Sequence, residues 1–232
     1  MAAKATKKDI EKPDPFYEWM ERIYGCIVSN KKKFYTGAGV FAAICLLSTA
    51  YYFYSQHMEQ QAEKLYLKAY DLQYSRAATR GADRDSPASV FAAYEEVLQA
   101  YPRSRAAFYA CYMLGNLYYR GGDYDRARSS FEAFLDKAPR KHVLTPFAYT
   151  GIGYCYEEKK EYAKALEAFE KAVGKDTGGV FTGVTYGNMA RVYEEMNNAP
   201  KALELYRQAL ENTTDPAMAA FIKRKIAELG SS

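Results

Sequence analysis

The longest apolar stretch of the chain lies near its start. Residues 34–54 contain no charged side chain, and most of them are apolar. As an α-helix, these residues extend about 31 Å, which matches the hydrocarbon thickness of a bilayer. Aromatic side chains stand at both ends of the stretch, where an interfacial belt would place them. The pattern therefore predicts a single transmembrane helix over residues 34–54.

A second, shorter helix is predicted before this stretch. Asp14 and Pro15 suit the N-cap and the first position of a helix. Apolar side chains then recur at helical spacing, whereas Glu18, Glu21 and Arg22 occupy the other face. The members of the apolar stripe are Phe16, Trp19, Met20, Ile23, Tyr24, Ile27 and Val28. Two interpretations stay open for this amphipathic helix: it lies on the membrane surface, or it docks on a membrane partner.

The basic residues beside the apolar stretch predict its orientation. Its N-terminal end adjoins Lys31, Lys32 and Lys33. Together with Trp19, these lysines form the predicted flank of the membrane anchor. The positive-inside rule then places residues 1–33 in the cytoplasm and residues 55–232 in the periplasm of a bacterium. A cleaved signal peptide is the alternative, because Ser48-Thr49-Ala50 resembles a cleavage site, although such a long leader before the apolar run is unusual for signal peptides.

Three stretches of the C-terminal part repeat one another. They begin with the small residues Gly115, Gly153 and Ala190, which are 38 and 37 residues apart. After each small residue, a tyrosine follows at three positions, an alanine at twelve and an aromatic residue at sixteen. These residues are Tyr118, Ala127 and Phe131, then Tyr156, Ala165 and Phe169, then Tyr193, Ala202 and Tyr206. Because small residues let helices approach closely, the spacing predicts paired helices with aromatic side chains between neighbouring pairs.

Further helices are predicted on both sides of the repeats. Residues 56–79 continue the helix of the apolar stretch and form the first half of a weaker opening pair. Residues 81–87 form a turn, at whose end Ser86 and Pro87 suit the start of the next helix. Pro216 begins a last helix that mixes apolar and charged residues, as a solubilising cap does.

Composition and charge exclude one class of partner. The chain is 49% hydrophobic and 16% aromatic, which is enough for a sizeable core. Residues 1–33 hold eight basic against five acidic side chains, whereas the remaining residues hold 24 against 23. A nearly neutral main domain lacks the basic surface that nucleic acid requires. We therefore expect no nucleic-acid partner.

The sequence shows no group of residues typical of a catalytic or metal site. His57 and His142 are the only histidines, and neither lies in a triad or metalloprotease pattern. The four cysteines lack metal-binding spacing. Cys111 and Cys155 fall within helical patterns, where free cysteine behaves as a small buried apolar residue, and a disulfide between them stays open. We expect no enzymatic activity, no metal and no cofactor.

The repeated pattern resembles that of the tetratricopeptide repeat family, with its glycine, tyrosine, alanine, phenylalanine and proline positions. The resemblance covers residues 88–215, and it departs from the family at Cys111, Thr177 and Thr214, which replace one tryptophan and two prolines. It implies a right-handed helical solenoid, so that the expected fold is all-α, with the predicted N-terminal transmembrane helix before the solenoid. The full repeats would span about residues 108–141, 146–179 and 183–216.

In this family, partners bind a concave groove, and five places on the first helix of each pair face it. Transferred to this sequence, those places are Tyr109, Tyr112, Asn116, Tyr119 and Arg120 in the first repeat, Phe147, Thr150, Tyr154, Glu157 and Glu158 in the second, and Val184, Gly187, Arg191, Glu194 and Glu195 in the third. This set suits extended or helical segments of a partner protein. The alternative for each tyrosine is packing between helices. Only Asn116 matches the basic clamp of chaperone-tail receptors, so we expect no carboxylate-terminus ligand.

The order of the predicted parts resembles the YfgM-like family of ancillary Sec translocon subunits. This resemblance implies a single-pass protein of the bacterial inner membrane, with a periplasmic domain that contacts secreted client chains and periplasmic chaperones beside the translocon. Two other interpretations stay open. One is a scaffold for an envelope assembly complex of the cell wall or outer membrane, and the other is an anchored receptor on an organelle membrane. All three interpretations have the chain hold partner proteins rather than catalyse a reaction.

Overall fold

The computed structural model describes residues 15–78 and 87–230, and the regular structure in these ranges is entirely α-helical. The chain divides into two compact units, Met1–Gln56 and His57–Ser232. The predicted cap at Asp14 and the predicted turn as far as Ser86 lie outside the described residues. The predicted all-α class is therefore confirmed for the part of the chain that is described.

The first unit holds helix α1, Pro15–Ser29, and the beginning of helix α2, Lys31–Ala78. No proline interrupts α2, so nothing in its sequence ends the helix early. Among the described helices, α2 alone is long and apolar enough to cross a membrane, and none of its most apolar window is buried. These criteria are length and composition, which N-terminal signal sequences also satisfy.

The second unit contains the rest of α2 and eight further described helices. They are α3 Pro87–Ala100, α4 Arg105–Arg120, α5 Tyr124–Lys137, α6 Thr145–Glu158, α7 Tyr162–Lys175, α8 Thr182–Glu195, α9 Ala199–Glu211 and α10 Pro216–Gly230. Helices α4 and α5, α6 and α7, and α8 and α9 form three antiparallel pairs that pack in chain order. As predicted, α3 begins at Pro87 and α10 begins at Pro216.

The turns inside the three pairs have one backbone design. Gly122, Lys160 and Asn197 all have positive φ, at 79°, 59° and 56°. In each turn the following residue donates its backbone N–H to a carbonyl five residues earlier, as from Asp123 to Tyr118 at 3.0 Å. Glycine and asparagine tolerate this left-handed conformation, whereas lysine adopts it at a cost in strain. The equal geometry at matching positions supports the predicted repeat register.

The small residues of the repeats make room for buried rings. A Cβ atom on Gly115 would lie 2.7 Å from the Phe131 ring, and one on Gly151 would lie 2.6 Å from the opposite side of that ring. Gly153 has the same relation to Phe169, with a distance of 2.5 Å. Phe131 of α5 thus fits between glycines of α4 and α6, and it joins two successive pairs. The sequence predicted close helix approach at the small residues. The ring positions explain why these residues must be small.

The opening pair shares this construction. Ala62 and Ala69 of α2 are fully buried against Val90, Tyr94 and Val97 of α3. The Tyr94 hydroxyl also donates to Gln73 Oε1 at 2.8 Å. The second part of α2 therefore serves as the first helix of a pair.

The end of the domain is covered by α10. Ile222 of α10 is fully buried in a cluster with Ala190, Tyr206 and Ala209. Lys225 of α10 reaches back to Glu194 Oε1 at 3.1 Å. The last pair thus packs its apolar side against α10, which covers that side as a capping helix does.

Candidate partner-binding surface

The first helices of the pairs form one surface of the second unit, which we call the first-helix face. It consists of α4, α6 and α8, together with α10 and the residues of α2 from His57 onward. In a helical solenoid of this kind, stacked first helices line the extended concave surface. The side chains predicted to bind partners lie on α4, α6 and α8, and some of them belong to two rows.

The first row is apolar and lies near the N-terminal ends of α4, α6 and α8. Its members are Tyr109, Phe147, Phe181 and Val184, and we call them the apolar row. The rings of Phe147 and Phe181 meet edge to face with centroids 4.1 Å apart. Val184 keeps 40% of its surface exposed. This row therefore offers apolar surface to a partner without disturbing a buried core.

Tyr109 has neighbours on both sides of α4. Its ring lies 6.1 Å from that of Tyr66 on α2, and its hydroxyl lies 3.2 Å from His142 Nε2. Tyr109 is half-buried as a result. Of the predicted groove residues, it is the one nearest the opening pair.

The second predicted place of each repeat is used mainly for packing. Tyr112 packs on the rings of Phe131 and Phe134, with centroids 5.8 and 5.5 Å away. Thr150 turns its hydroxyl back to the Pro146 carbonyl at 3.0 Å. Gly187 faces the Met218 side chain, since a Cβ there would lie 3.5 Å from Met218 Cε. At Tyr112, the structure therefore shows packing between helices, which was the alternative to partner binding.

The second row is polar and joins each first helix to the next, and we call it the polar row. Glu157 of α6 accepts two hydrogen bonds from the Arg191 guanidinium of α8, at 2.7 and 2.8 Å. Asn188 donates to the Tyr154 hydroxyl at 2.8 Å, and burial raises the pKa of that tyrosine. Glu194 continues the row by accepting from Lys225. Because these groups satisfy one another, the polar row connects the repeats.

The remaining predicted residues lie at the C-terminal ends of the first helices. The Tyr119 hydroxyl donates to Glu158 Oε1 at 3.3 Å, and burial together with the carboxylate raises the pKa of Tyr119. Asn116 donates to the Tyr112 carbonyl at 2.9 Å. Arg120 and Glu195 are exposed. The structure thus brings Tyr119 and Glu158 together across repeats, whereas Arg120 points to solvent.

A cleft of about 240 Å³ opens on the same face between α2 and α4. Leu67 lines it with 48% of its surface exposed, and Tyr66 forms its inner wall, where burial raises the pKa of the phenol to about 12. Glu59 stands at one side and accepts the Arg105 backbone N–H at 3.1 Å. The other lining residues are Glu63, Ala106 and Tyr109. The sequence did not indicate this cleft, because α2 lacks the repeat motif that marked the other first helices.

His142 supports the apolar row from the loop between α5 and α6. Its Nδ1 accepts the Leu144 backbone N–H at 3.2 Å, so the neutral ring carries its proton on Nε2 and directs it at the Tyr109 hydroxyl. The ring lies edge-on against Phe108 and Phe134. Burial lowers the pKa of His142. Protonation of Nδ1 would remove the acceptor for Leu144.

This geometry predicts a loss of stability in mild acid. Because the folded pKa of His142 is below its unfolded value, the unfolded chain takes up the proton first. Stability is complete above the ordinary histidine pKa of about 6.5 and falls as the pH drops through it. We expect thermal unfolding of the full chain in detergent to give a lower Tm at about pH 5.5 than at about pH 7.5.

His142→Asn is the matched variant for this prediction. The carboxamide oxygen of asparagine accepts a hydrogen bond without titrating, so the variant should lose this part of the pH dependence. His57→Asn, at an exposed position of α2, should keep it. Equal pH dependence in the wild type and His142→Asn would contradict the assigned role.

The predicted anchor flank lies in the first unit. Lys31, Lys32 and Lys33 begin α2, and all three are exposed. Trp19 lies on α1 with 60% of its surface exposed. The described residues show no ion pair for these lysines. The cationic side chains thus stand at the start of the apolar helix, and the aromatic Trp19 stands on the helix before it.

Among the described residues, no group of three or more histidine, cysteine, aspartate or glutamate side chains is arranged to hold a metal ion. Cys111 and Cys155 are both free and buried. Burial raises the pKa of both thiols, that of Cys155 to about 12. These cysteines are therefore protonated at neutral pH, and they pack as small apolar residues.

Comparison with known proteins identifies the repeats. A family profile described as tetratricopeptide repeat matches residues 112–180, and a second profile of the same description matches residues 185–217. No curated protein matches the chain in sequence. The predicted tetratricopeptide repeats are confirmed over these residues.

Solved structures support the same fold. The chain is similar to MamA residues 41 to the end from Desulfovibrio magneticus RS-1, with a TM-score of 0.52 and 20% identity over 65% of this chain and 75% of that chain. A further MamA structure gives a TM-score of 0.52 and 19% identity, covering 74% and 88%. The Yersinia enterocolitica chaperone SycD in complex with a YopD peptide gives 0.46 and 14% identity, covering 52% and 90%. At these identities, the likeness to the two MamA structures concerns the solenoid fold alone.

Proposed function

We propose that this chain, which carries tetratricopeptide repeats, is a membrane-anchored scaffold that binds segments of other proteins along its first-helix face. The observation that carries the proposal is the contrast between the two rows of that face. The polar row is satisfied by contacts between repeats, such as Glu157 with Arg191, and it therefore holds the domain together. The apolar row is left accessible at Val184, which keeps 40% of its surface exposed.

The chemistry of the face favours a particular kind of segment. Apolar side chains follow one another from repeat to repeat at Tyr109, Phe147 and Val184, and the cleft beside Leu67 extends the row toward α2. A helical or extended segment with regularly spaced apolar anchors would fill such a row. Aromatic anchors carry much of the energy in interfaces of this type. The proposed activity is binding rather than catalysis.

The more specific proposal is an ancillary subunit of the Sec translocon, similar to the YfgM-like family. Three features support it: an amphipathic helix α1, a basic flank and a long apolar helix before the repeats. The positive-inside rule puts the lysine side in the cytoplasm of a bacterium, and thereby the repeats in the periplasm. Secreted client chains and periplasmic chaperones are then the partners within reach of the first-helix face.

Site-specific photo-crosslinking in cells tests this function. A photoreactive residue at Phe147 or Val184 should give adducts with channel subunits, periplasmic chaperones or secreted chains. The matched control is Glu170, which is exposed on the second helix α7 and away from the first-helix face. Adducts with cell-wall or outer-membrane assembly proteins alone would replace the translocon proposal with the envelope scaffold. Equal adducts from Glu170 would remove the role of the apolar row.

The orientation is tested separately by protease accessibility. In spheroplasts, an added protease should digest residues 55–232, because the proposal places them outside the inner membrane. Inverted vesicles should protect the same residues. The opposite pattern would favour an anchored receptor whose repeats face the cytosol, and it would overturn the periplasmic assignment.

A further inference from the structure

Helix α1 presents an apolar stripe that the described residues leave exposed. At about 100° per residue, Trp19, Met20 and Ile23 fall within one arc of about 100° on the helix. All three belong to the exposed large apolar residues, and Trp19 keeps 60% of its surface accessible. A stripe of this kind on a short helix is typical of an element that is covered by something outside the chain.

The opposite arc of α1 is polar or small. It consists of Glu18, Glu21, Arg22, Gly25 and Ser29. Arg22 lies 3.6 Å from Glu18, so these two charges satisfy each other on the solvent side. Tyr17 and Tyr24 stand at the border between the arcs, and both are exposed. Tyrosine at such a border has its ring in an apolar layer and its hydroxyl in water.

The end of α1 adjoins the start of α2. Asn30 alone separates the two helices, and it receives the Phe34 backbone N–H at 3.0 Å while donating its own to Cys26 at 3.2 Å. Lys31, Lys32 and Lys33 follow at once, exposed and without an ion pair among the described residues. The apolar run of α2 then begins at Phe34. A helix joined so closely to a membrane-crossing segment lies within reach of the lipid headgroups.

We propose that α1 lies flat in the headgroup layer of the leaflet that α2 enters, with its apolar stripe in the acyl boundary and the three lysines on anionic headgroups. This inference rests on the proposed membrane anchoring by α2. A bilayer fits the stripe because the lipid is present wherever α2 is inserted, whereas a protein groove would require a separate partner. The lysines add charge complementarity, since clusters of basic residues beside a membrane segment attract anionic lipid.

Trp19 makes this arrangement directly measurable, because it is the only tryptophan of the chain. The experiment reconstitutes the full chain in vesicles of phosphatidylcholine with phosphatidylglycerol and follows tryptophan emission. Lipids brominated near the headgroup should quench Trp19 strongly, and lipids brominated near the chain end should quench it weakly. Interfacial helices place their apolar face about 5–10 Å into the headgroup and acyl boundary, which predicts this order.

Two variants that add the same charge test whether the quenching of Trp19 depends on the apolar stripe or on the rest of α1. Ile23→Asp puts a carboxylate in the apolar arc and should reduce the quenching at least two-fold. Gly25→Asp puts one in the polar arc, where a Cβ meets nothing within 4 Å, and should leave the quenching unchanged. Replacing Lys31, Lys32 and Lys33 together by glutamine should reduce the quenching in vesicles with phosphatidylglycerol to its level in pure phosphatidylcholine.

Flotation of the vesicles after an alkaline wash distinguishes failure of this inference from failure of the anchoring proposal. A chain that floats while Trp19 is unquenched by every brominated lipid would overturn the interfacial position and favour a groove on a protein partner. Equal quenching of Ile23→Asp and Gly25→Asp would overturn the role of the stripe. A chain that is washed off would overturn the anchoring and this inference together.

Discussion

Gly151→Leu should destabilise the repeat domain by about 3 kcal/mol or more, at the upper end of what overpacking a core costs. A Cβ at this position would lie 2.6 Å from the Phe131 ring, which is itself 2% exposed. The ring has little room to move aside, because a Cβ on Gly115 would lie 2.7 Å from its other side. Gly115→Leu should therefore have a similar effect. Urea unfolding of the full chain in mild detergent, followed by circular dichroism, measures the loss.

Gly174 provides the matched control for these substitutions. It lies in α7, and a Cβ there meets nothing within 4 Å. Gly174→Ala should stabilise the domain by about 0.5–1 kcal/mol, because alanine loses less backbone freedom in a helix than glycine does. Gly151→Ala should instead destabilise it by about 1–3 kcal/mol. If both alanine variants shift the free energy of unfolding in the same direction, the inferred close packing around Phe131 is contradicted.

Tyr94→Ala should cost about 3–5 kcal/mol, as removal of a large buried side chain does. Tyr94 of α3 is fully buried, its ring lies 5.8 Å from that of Tyr66, and its hydroxyl binds Gln73 of α2. Tyr94→Phe removes the hydrogen bond alone and should cost about 1 kcal/mol. The same urea unfolding experiment measures both, and it tests whether the opening pair belongs to the cooperative domain.

Tyr74 serves as the comparison for Tyr94. It belongs to α2 and keeps 50% of its surface exposed. Tyr74→Ala should therefore cost about 1 kcal/mol or less, as exposed substitutions usually do. An equally small cost for Tyr94→Ala would show that α2 and α3 unfold without affecting the three repeats.

The repeat register could be predicted from the sequence because it depends on residue size. Gly115 and Phe131 are short-range partners in a fixed spacing, and steric fit leaves few other residues that suit them. The positive φ of Gly122 and Asn197 agrees with their residue types, which tolerate this conformation. Lys160 takes the same conformation without such a preference, so its residue type does not account for that turn.

The candidate surface was harder to predict, because a side chain on a first helix can face either a bound partner or a neighbouring helix. Tyr112 and Tyr154 occupy places that face partners in the family, yet their rings pack on Phe131 and Phe169. Sequence spacing defines a helix face but not how far a long side chain leans toward the next helix. Phe181 and His142 were missed as parts of the surface since they lie at helix starts and in loops, outside the repeated motif.

The polar row and the apolar row of the first-helix face should respond differently to ionic strength and to temperature. The pairs of Glu157 with Arg191 and of Glu194 with Lys225 are partly exposed, so raised ionic strength screens them. The contact of Phe147 with Phe181 weakens on cooling instead, as apolar association does. Raised salt should therefore weaken the contacts of the polar row, and cooling should weaken the contact within the apolar row. The curvature that the first-helix face offers to a bound segment then depends on which of the two rows keeps its contacts.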